Sequence, residues 1–388
     1  MNRIYLDNAA TTAPRREAVD AMLPFLTESY ANPSSPHRSG QRAKTALERA
    51  RKQTAAALNA QSSEIIFTGG GSEADSLAIF GIMDAYASRG KHFVTSAIEH
   101  HAVLHAAYTL KSRGADVTIV PVDKDGLVRA DDVRSALRDN TVLVSIMHAN
   151  NEIGAIQPIA ELAVIAHERG ALFHTDAVQT VGHIPVDVKT LGVDALSLSA
   201  HKFEGPKGVG ALYLKTGVRI APLVVGGGQE GGRRAGTENV PGIVALATAL
   251  DLAVKELDES QRAATRLRDK LIDGVLNAVP GSALNGSRTR RMPNNASLRF
   301  SKIEAETLVV GLDVEGIEAS TGSACTSGSL EPSHVLTAIG LDPAVARGTI
   351  RFSLGRSNTS DDVARLLGVL PGIIERLRQL AGTLAAGA

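Results

Sequence analysis

Tryptophan is absent from this 388-residue sequence, and all aromatic residues together make up only 3%. Proteins that hold single-stranded nucleic acid stack bases on aromatic rings, so this supply argues against that partner. An excess of either charge is missing too. Lys plus Arg and Asp plus Glu both total 41, leaving no electrostatic grip on nucleic acid or an anionic membrane. No stretch approaches the roughly 20 apolar residues of a membrane helix. The start, Met1-Asn2-Arg3-Ile4-Tyr5-Leu6-Asp7, has no apolar core of signal-peptide length. Cysteine is nearly absent: Cys325 stands alone, so no disulfide can form within the chain and no oxidising compartment is implied. The expectation is a cytoplasmic protein that binds neither nucleic acid nor membrane.

What is present is a globular pattern. A 44% hydrophobic share supplies a sizeable core for two domains or one large α/β unit. Short apolar runs at 64–67, 92–95, 117–120, 142–146, 171–174, 195–198 and 211–214 read as buried strands. Helical patterns, such as 131–138 and 159–169, lie between several of them. This rhythm predicts an α/β fold with a mostly parallel mixed sheet covered by helices. Ligands of such sheets gather where strands end. After Gly217 the rhythm changes. A glycine-rich loop at 226–232 leads to one or two amphipathic helices over 240–276. Weaker strands at 296–300 and 349–352, with helices at 305–312 and 361–380, form a smaller α+β unit. The expected division gives 12–258 to a large domain and 1–11 with 259–388 to a small one.

Three strand ends carry chemistry. The first is Phe67-Thr68-Gly69-Gly70-Gly71-Ser72-Glu73-Ala74-Asp75. The glycines can turn backbone N–H groups inward, and Ser72 with Asp75 predicts a capping box at the next helix. A helix N-terminus behind such a loop suits phosphate, although a tight strand-to-helix turn fits equally. The second is Asp176, in His174-Thr175-Asp176-Ala177. An acid at a buried strand end needs a cation, such as a protonated pyridine nitrogen, unless it is a surface cap. The third is Ser199-Ala200-His201-Lys202. There Lys202 can be desolvated and form a Schiff base, whereas Lys207, near Gly205, reads as a turn lysine. Phosphate anchor, pyridinium partner and Schiff-base lysine together are what pyridoxal phosphate requires. The setting of Cys325, Gly322-Ser323-Ala324-Cys325-Thr326-Ser327-Gly328, reads as an exposed loop where a thiol can react.

Two rival patterns fail. Ser199-x-x-Lys202 with Lys215-Thr216-Gly217 echoes serine acyl enzymes, but no Ser-Asp-Asn element exists and Ser199 follows a strand. His101 and His105 with Glu99 have helical spacing for a metal but no further ligand cluster, so no metal is expected.

The sequence resembles the cysteine desulfurases of the NifS/IscS type, in the class V aminotransferase family. The resemblance runs nearly end to end. It includes Tyr5-Leu6-Asp7-Asn8-Ala9-Ala10-Thr11-Thr12, Glu99-His100-His101-Ala102-Val103, Asn150-Asn151-Glu152-Ile153-Gly154, Ser199-Ala200-His201-Lys202, Gly322-Ser323-Ala324-Cys325 and Arg351-Phe352-Ser353-Leu354. The run Arg233-Arg234-Ala235-Gly236-Thr237-Glu238-Asn239 leans to the nitrogen-fixation NifS branch. The resemblance implies a pyridoxal-phosphate-dependent transferase of fold type I. It makes Lys202 the cofactor's anchor and proton shuttle, Asp176 the pyridinium partner and Gln179 a donor to the phenolic oxygen. It gives His100 a ring-stacking and proton-transfer role. Gly71, Ser72, Ser199 and His201 would hold the phosphate, with Thr237 reaching in from the second subunit of a homodimer. Asn151, in contact with cofactor and substrate, and Arg351 would grip the carboxylate of L-cysteine. Cys325 would take the sulfur as a persulfide, yielding L-alanine, and pass it to an iron–sulfur scaffold of the NifU/IscU kind. No second cysteine exists to resolve that persulfide. The implied alternatives are a selenocysteine lyase or a class V aminotransferase that never uses Cys325. One departure is visible: Gly69-Gly70-Gly71-Ser72 stands where the family commonly has Ser-Gly-Ala-Thr. Serine keeps the hydroxyl.

Overall fold

A computed structural model describes residues 3–322 and 333–386. Twelve strands are labelled here in chain order: β1 (Ile4–Tyr5), β2 (Ile65–Thr68), β3 (His92–Ser96), β4 (Asp116–Val120), β5 (Thr141–Ser145), β6 (Leu172–Asp176), β7 (Ala195–Ser199), β8 (Gly210–Leu214), β9 (Ser282–Leu284), β10 (Asn295–Phe300), β11 (Ile317–Glu318) and β12 (Thr349–Ser353). All seven strands expected from the apolar runs are present. They form one sheet in the order β2-β8-β7-β6-β5-β3-β4.

Only β8 runs against its neighbours, pairing antiparallel with both β2 and β7. Because β8 is reversed, β2 points the same way as β7. The carboxyl ends of β2, β3, β5, β6 and β7 therefore share one edge. Alternation puts successive side chains on opposite faces. Ile65, Phe67, Val94, Val144 and Leu196 enter one core. Ile66, Phe93, Leu143, Ala195 and Leu212 enter the other. Helices Arg38–Ala57, Ile159–Glu168 and Val240–Lys255 contribute to the first face. Helices Gly71–Ala85 and His101–Ser112 cover the second.

The helical stretch at 240–276 resolves into Val240–Lys255 and Leu257–Ala278, separated at Glu256. Leu271, Ile272 and Val275 of the second helix enter a separate core with Leu298, Phe300, Ile350 and Phe352. That core lies beside the small sheet β12-β10-β9 and takes in Ile4, Leu6 and Ile317 around the parallel pair β1 and β11. Helices Ala305–Val314 and Ser360–Ala386 supply the rest, including Leu308, Leu312, Leu366 and Leu370. Among the described residues, no helix is long and apolar enough to cross a membrane.

Candidate active site

The glycine-rich turn sits at the shared edge. Helix Gly71–Ala85 begins one residue before Ser72, and its cap is Gly70 at φ 156° with no side-chain hydrogen bond. This corrects the expected capping box: glycine backbone makes the turn alone, and Asp75 is buried instead of reaching back. Close approach explains two glycines. A Cβ on Gly71 would lie 2.7 Å from Val178 Cγ2, and one on Gly210 would lie 2.9 Å from Gly70 Cα. The turn borders a cavity of about 480 Å³ lined by Gly69, Gly70, Gly71, Ser72, Ser199 and His201, with Thr11 and Lys207 on its rim. A pin missed in the sequence holds the turn. Glu73 accepts from Gly69 N at 2.8 Å and pairs with Arg234 Nε at 2.8 Å. The loop that carries Arg234 is anchored in turn by buried Glu230, which accepts from Arg51 at 2.7 and 2.8 Å and from Phe67 N at 3.0 Å.

Lys202 ends the short helical turn Ala200–Lys202 directly after β7. Its Nζ donates to Ala9 O at 2.6 Å and Ala10 O at 2.8 Å. Gln179 Nε2 donates to the same Ala9 O at 3.0 Å, so the two side chains share a backbone acceptor. His201 Nδ1 lies 3.1 Å from Thr11 Oγ1, and burial lowers its pKa to about 4. Lys207 is exposed, in agreement with its reading as a turn residue.

Asp176 is the last residue of β6 and is buried. One oxygen accepts from Val178 N at 2.8 Å. Close to it Asp75 is fully buried, with Oδ1 lacking a hydrogen-bond donor among the described residues and 3.7 Å from His174 Nε2. His174 is held neutral by burial, its pKa lowered to about 3, and it lies 2.8 Å from Ser145 Oγ and 2.9 Å from Ser197 Oγ. Burial raises both Asp75 and Asp176 above the ordinary carboxylate range. A folded state that keeps a proton the unfolded chain has released loses stability as pH rises through that range. Asp176→Asn should therefore raise the melting temperature of cofactor-free protein at pH 8 by a few degrees. The gain should shrink toward pH 5, as followed by calorimetry. No gain at pH 8 would mean that Asp176 carries no burial penalty.

His100 caps helix His101–Ser112, with Nδ1 accepting from Ala102 N at 3.1 Å. Burial first, and Lys202 next, lower its pKa to about 4. Its neighbour Glu99 is fully buried and raised to about 8 by burial, although Met147 N donates to it at 3.0 Å. His101 stacks near His105 and His334, with ring centroids 5.1 and 4.9 Å away. Among the described residues, no group of three or more His, Cys, Asp or Glu could hold a metal.

Arg351 rises from β12 and is buried. Nη2 pairs with Asp7 at 2.6 Å, and Nη1 donates to Asn151 O at 3.0 Å. Its Nε is buried without a hydrogen-bond partner among the described residues. Arg351 and Asn151 thus meet through the Asn151 backbone carbonyl. Thr237 is exposed and does not line the cavity of this chain. Cys325 lies outside the described residues.

Residues 4–366 match the aminotransferase class-V family. The chain is 55% identical over 378 residues to cysteine desulfurase IscS of Methanosarcina thermophila, covering 97% of this chain and 93% of that protein. Among solved structures, a NifS-like protein superposes with a TM-score of 0.91 at 39% identity, over 96% of this chain and 100% of the other. SspA in complex with cysteine superposes with a TM-score of 0.81 at 38% identity, over 90% of this chain and 98% of the other. The chain belongs to the class-V aminotransferases, and its fold is that of the pyridoxal-phosphate-dependent transferases of fold type I. Within that family it stands with the cysteine desulfurases.

Proposed function

We propose that this chain is a cysteine desulfurase that uses pyridoxal phosphate to remove sulfur from L-cysteine, releasing L-alanine and holding the sulfur as a persulfide on Cys325. The observation that carries this reading is the convergence of Lys202, Asp176 and the glycine cradle on one sheet edge. The residues fit the cofactor. Gly71, Ser72, Ser199 and His201 border a cavity suited to its phosphate, and Asp176 is a buried carboxylate to which a protonated ring nitrogen would bring a cation. Gln179 would hold the phenolic oxygen, and His100 would stack on the ring.

Bound pyridoxal phosphate supplies a conjugated ring that withdraws electrons from the substrate carbons. The chain's own residues do the rest. Lys202 Nζ, set between backbone carbonyls, would hold the cofactor and is the amine that would move the substrate Cα proton. Asp176 would hold the cationic ring nitrogen through charge. His100 is neutral at physiological pH and has Nδ1 accepting from Ala102 N–H, so Nε2 carries the ring proton and is suited to donate to a sulfur anion. Arg351 Nε is a buried donor without a partner among the described residues, suited to the substrate carboxylate beside Asn151. Cys325 attacks as thiolate: a sulfur–sulfur bond forms, the substrate Cβ–Sγ bond breaks, and the released electron pair stays with the carbon skeleton until protons convert it to alanine.

Incubation with L-cysteine and a reductant should yield equal amounts of alanine and sulfide, and absence of alanine would sink the reading. Arg351→Lys, which loses the planar fork, should raise KM for L-cysteine roughly tenfold or more with kcat within about threefold. An unchanged KM would remove Arg351 from carboxylate binding.

Further parts of the proposal follow the resemblance. The division of the chain is 12–258 and 1–11 with 259–388, supported by the separate cores on either side of Glu256. Thr237, exposed here, serves the partner's phosphate site in a homodimer. The sulfur acceptor is an iron–sulfur scaffold of the NifU/IscU kind in the cytoplasm. The nitrogen-fixation lean rests on the 233–239 run alone.

A further inference from the structure

The bend that follows Lys202 is made by a residue ill suited to it. Glu204 has φ 64°, the left-handed region that a residue with a Cβ enters only against strain. Such a conformation persists where the surroundings over-determine it, and here they do. The backbone of Glu204 is bonded on both sides: its N–H donates to Thr12 Oγ1 at 2.8 Å, and its carbonyl accepts from Arg15 N at 2.8 Å. Thr12 N and Thr12 Oγ1 both donate to His201 O at 2.9 Å, so segment 12–15 runs along the turn from His201 to Glu204. Gly205 closes the turn with its N–H on Ala200 O at 2.9 Å, where a Cβ would lie 2.8 Å from Ala200 Cβ.

The Glu204 side chain is held as firmly. Its Oε2 lies 2.5 Å from Arg15 Nε, a contact of opposite charges without the alignment of a hydrogen bond. Arg15 is buried, and its Nη1 donates to Glu256 Oε2 at 2.8 Å. Glu256 is the residue that separates helices Val240–Lys255 and Leu257–Ala278. Glu204 Oε1 accepts from Arg356 Nε at 3.2 Å, but Arg356 is half exposed, and an ion pair there contributes little. Buried Arg15 is therefore the main support. These side chains, with His183 and Phe203, border a cavity of about 330 Å³, so close packing alone does not set the bend.

We propose that Glu204 is a positioning residue for Lys202: held by Arg15, it keeps the backbone in the left-handed bend that aims the preceding turn, and with it the Lys202 amine, at the cofactor edge. The proposal rests on the reading of Lys202 as the cofactor's anchor. Glu204 does not line the cavity at that edge and acts through backbone conformation. A carboxylate with a merely structural role predicts lower stability with kcat unchanged.

The test uses holoenzyme with Glu204→Ala, Glu204→Asn and Glu204→Gly. None of the three offers Arg15 a charge, but they tolerate the left-handed region in the order Gly, Asn, Ala. Misplacing a reacting group by about 1 Å costs up to ~100-fold, so Glu204→Ala should lower kcat on L-cysteine roughly 10-fold or more, with KM within about twofold. Glu204→Gly takes up the bend without strain and should return kcat to within about threefold of wild type. Glu204→Asn should fall between the two. A second readout needs no turnover. Each protein is freed of cofactor, mixed with pyridoxal phosphate and followed by the rise of visible absorbance as the amine is engaged. That rate should rank in the same order, with Glu204→Ala at least about threefold slower than wild type. If Glu204→Ala does not fold, the order of the asparagine and glycine variants carries the test. Wild-type rates in Glu204→Ala overturn the proposal. So do losses that depart from this order, equal ones included, because the carboxylate would then act as a tether and not through the bend. Wild-type protein that gains the absorbance but releases no alanine sinks the desulfurase reading, while the absorbance rates still decide the role of Glu204. Wild-type protein that gains no absorbance sinks both.

Discussion

With alanine in place of Lys202, turnover of L-cysteine should fall at least ~1,000-fold, because in the proposed mechanism one side chain supplies both the covalent anchor and the proton transfer at Cα. The visible absorbance of cofactor bound to an amine should vanish with it. The structure favours Lys202 over the other lysine at this edge. Its amine is held against Ala9 O and Ala10 O, where two acceptors keep it from bulk water. His183 Nε2 lies 2.8 Å from the Lys202 carbonyl and steadies the backbone that presents it. Lys207 is exposed at the cavity rim, and Lys207→Ala should leave the absorbance in place with activity within about tenfold. Persistence of the amine-linked band in Lys202→Ala, with loss in Lys207→Ala, would move the anchor.

Cys325→Ala should be as severe on L-cysteine and silent spectroscopically. The nucleophile that takes the sulfur would be gone, so alanine production should drop at least ~1,000-fold while cofactor absorbance stays at the wild-type level. Unchanged activity on cysteine would refute the persulfide route. Retained activity on L-selenocysteine alongside lost activity on L-cysteine would separate a lyase chemistry that needs no thiol from the desulfurase chemistry that does. Wild-type protein given L-cysteine without reductant should form no more than one persulfide per chain, since no second cysteine exists to receive the sulfur. Protein mass before and after reduction measures this directly.

Much of this site was legible because strand ends are punctuated by residues that strands avoid. Asp176 and Lys202 stand out at the ends of apolar runs, and both runs are strands of the central sheet. The capping box was misread for a local reason. A serine three residues before an acid looks like a cap, but Gly70 had already made the turn through its own backbone. The electrostatic frame was illegible because its pairs are distant in sequence. Arg234 meets Glu73 across 161 residues and Arg51 meets Glu230 across 179. Only Glu73 left a trace, four residues beyond the Gly69 N–H that it accepts. The stack of Asp75, His174, Ser145 and Ser197 gave no signal at all, since each is an ordinary polar residue until the sheet places them in register.

The pair formed by Asp7 and Arg351 spans 344 residues. β1 pairs with β11, and Asp7 itself bridges to Ser353. During synthesis Asp7 leaves the ribosome long before either partner exists. The large sheet can collapse as its strands emerge, because most of its pairings join nearby elements. The proposed carboxylate grip cannot. It must wait until β12 has been made, and its loop-closure entropy then falls on the last steps of folding. The chain should therefore pass through a stage in which the cofactor edge is formed and the substrate end is not. Limited proteolysis of nascent or refolding protein should find the segment before Ala9 cut late into that process, and protected only once residues 349–353 are in place.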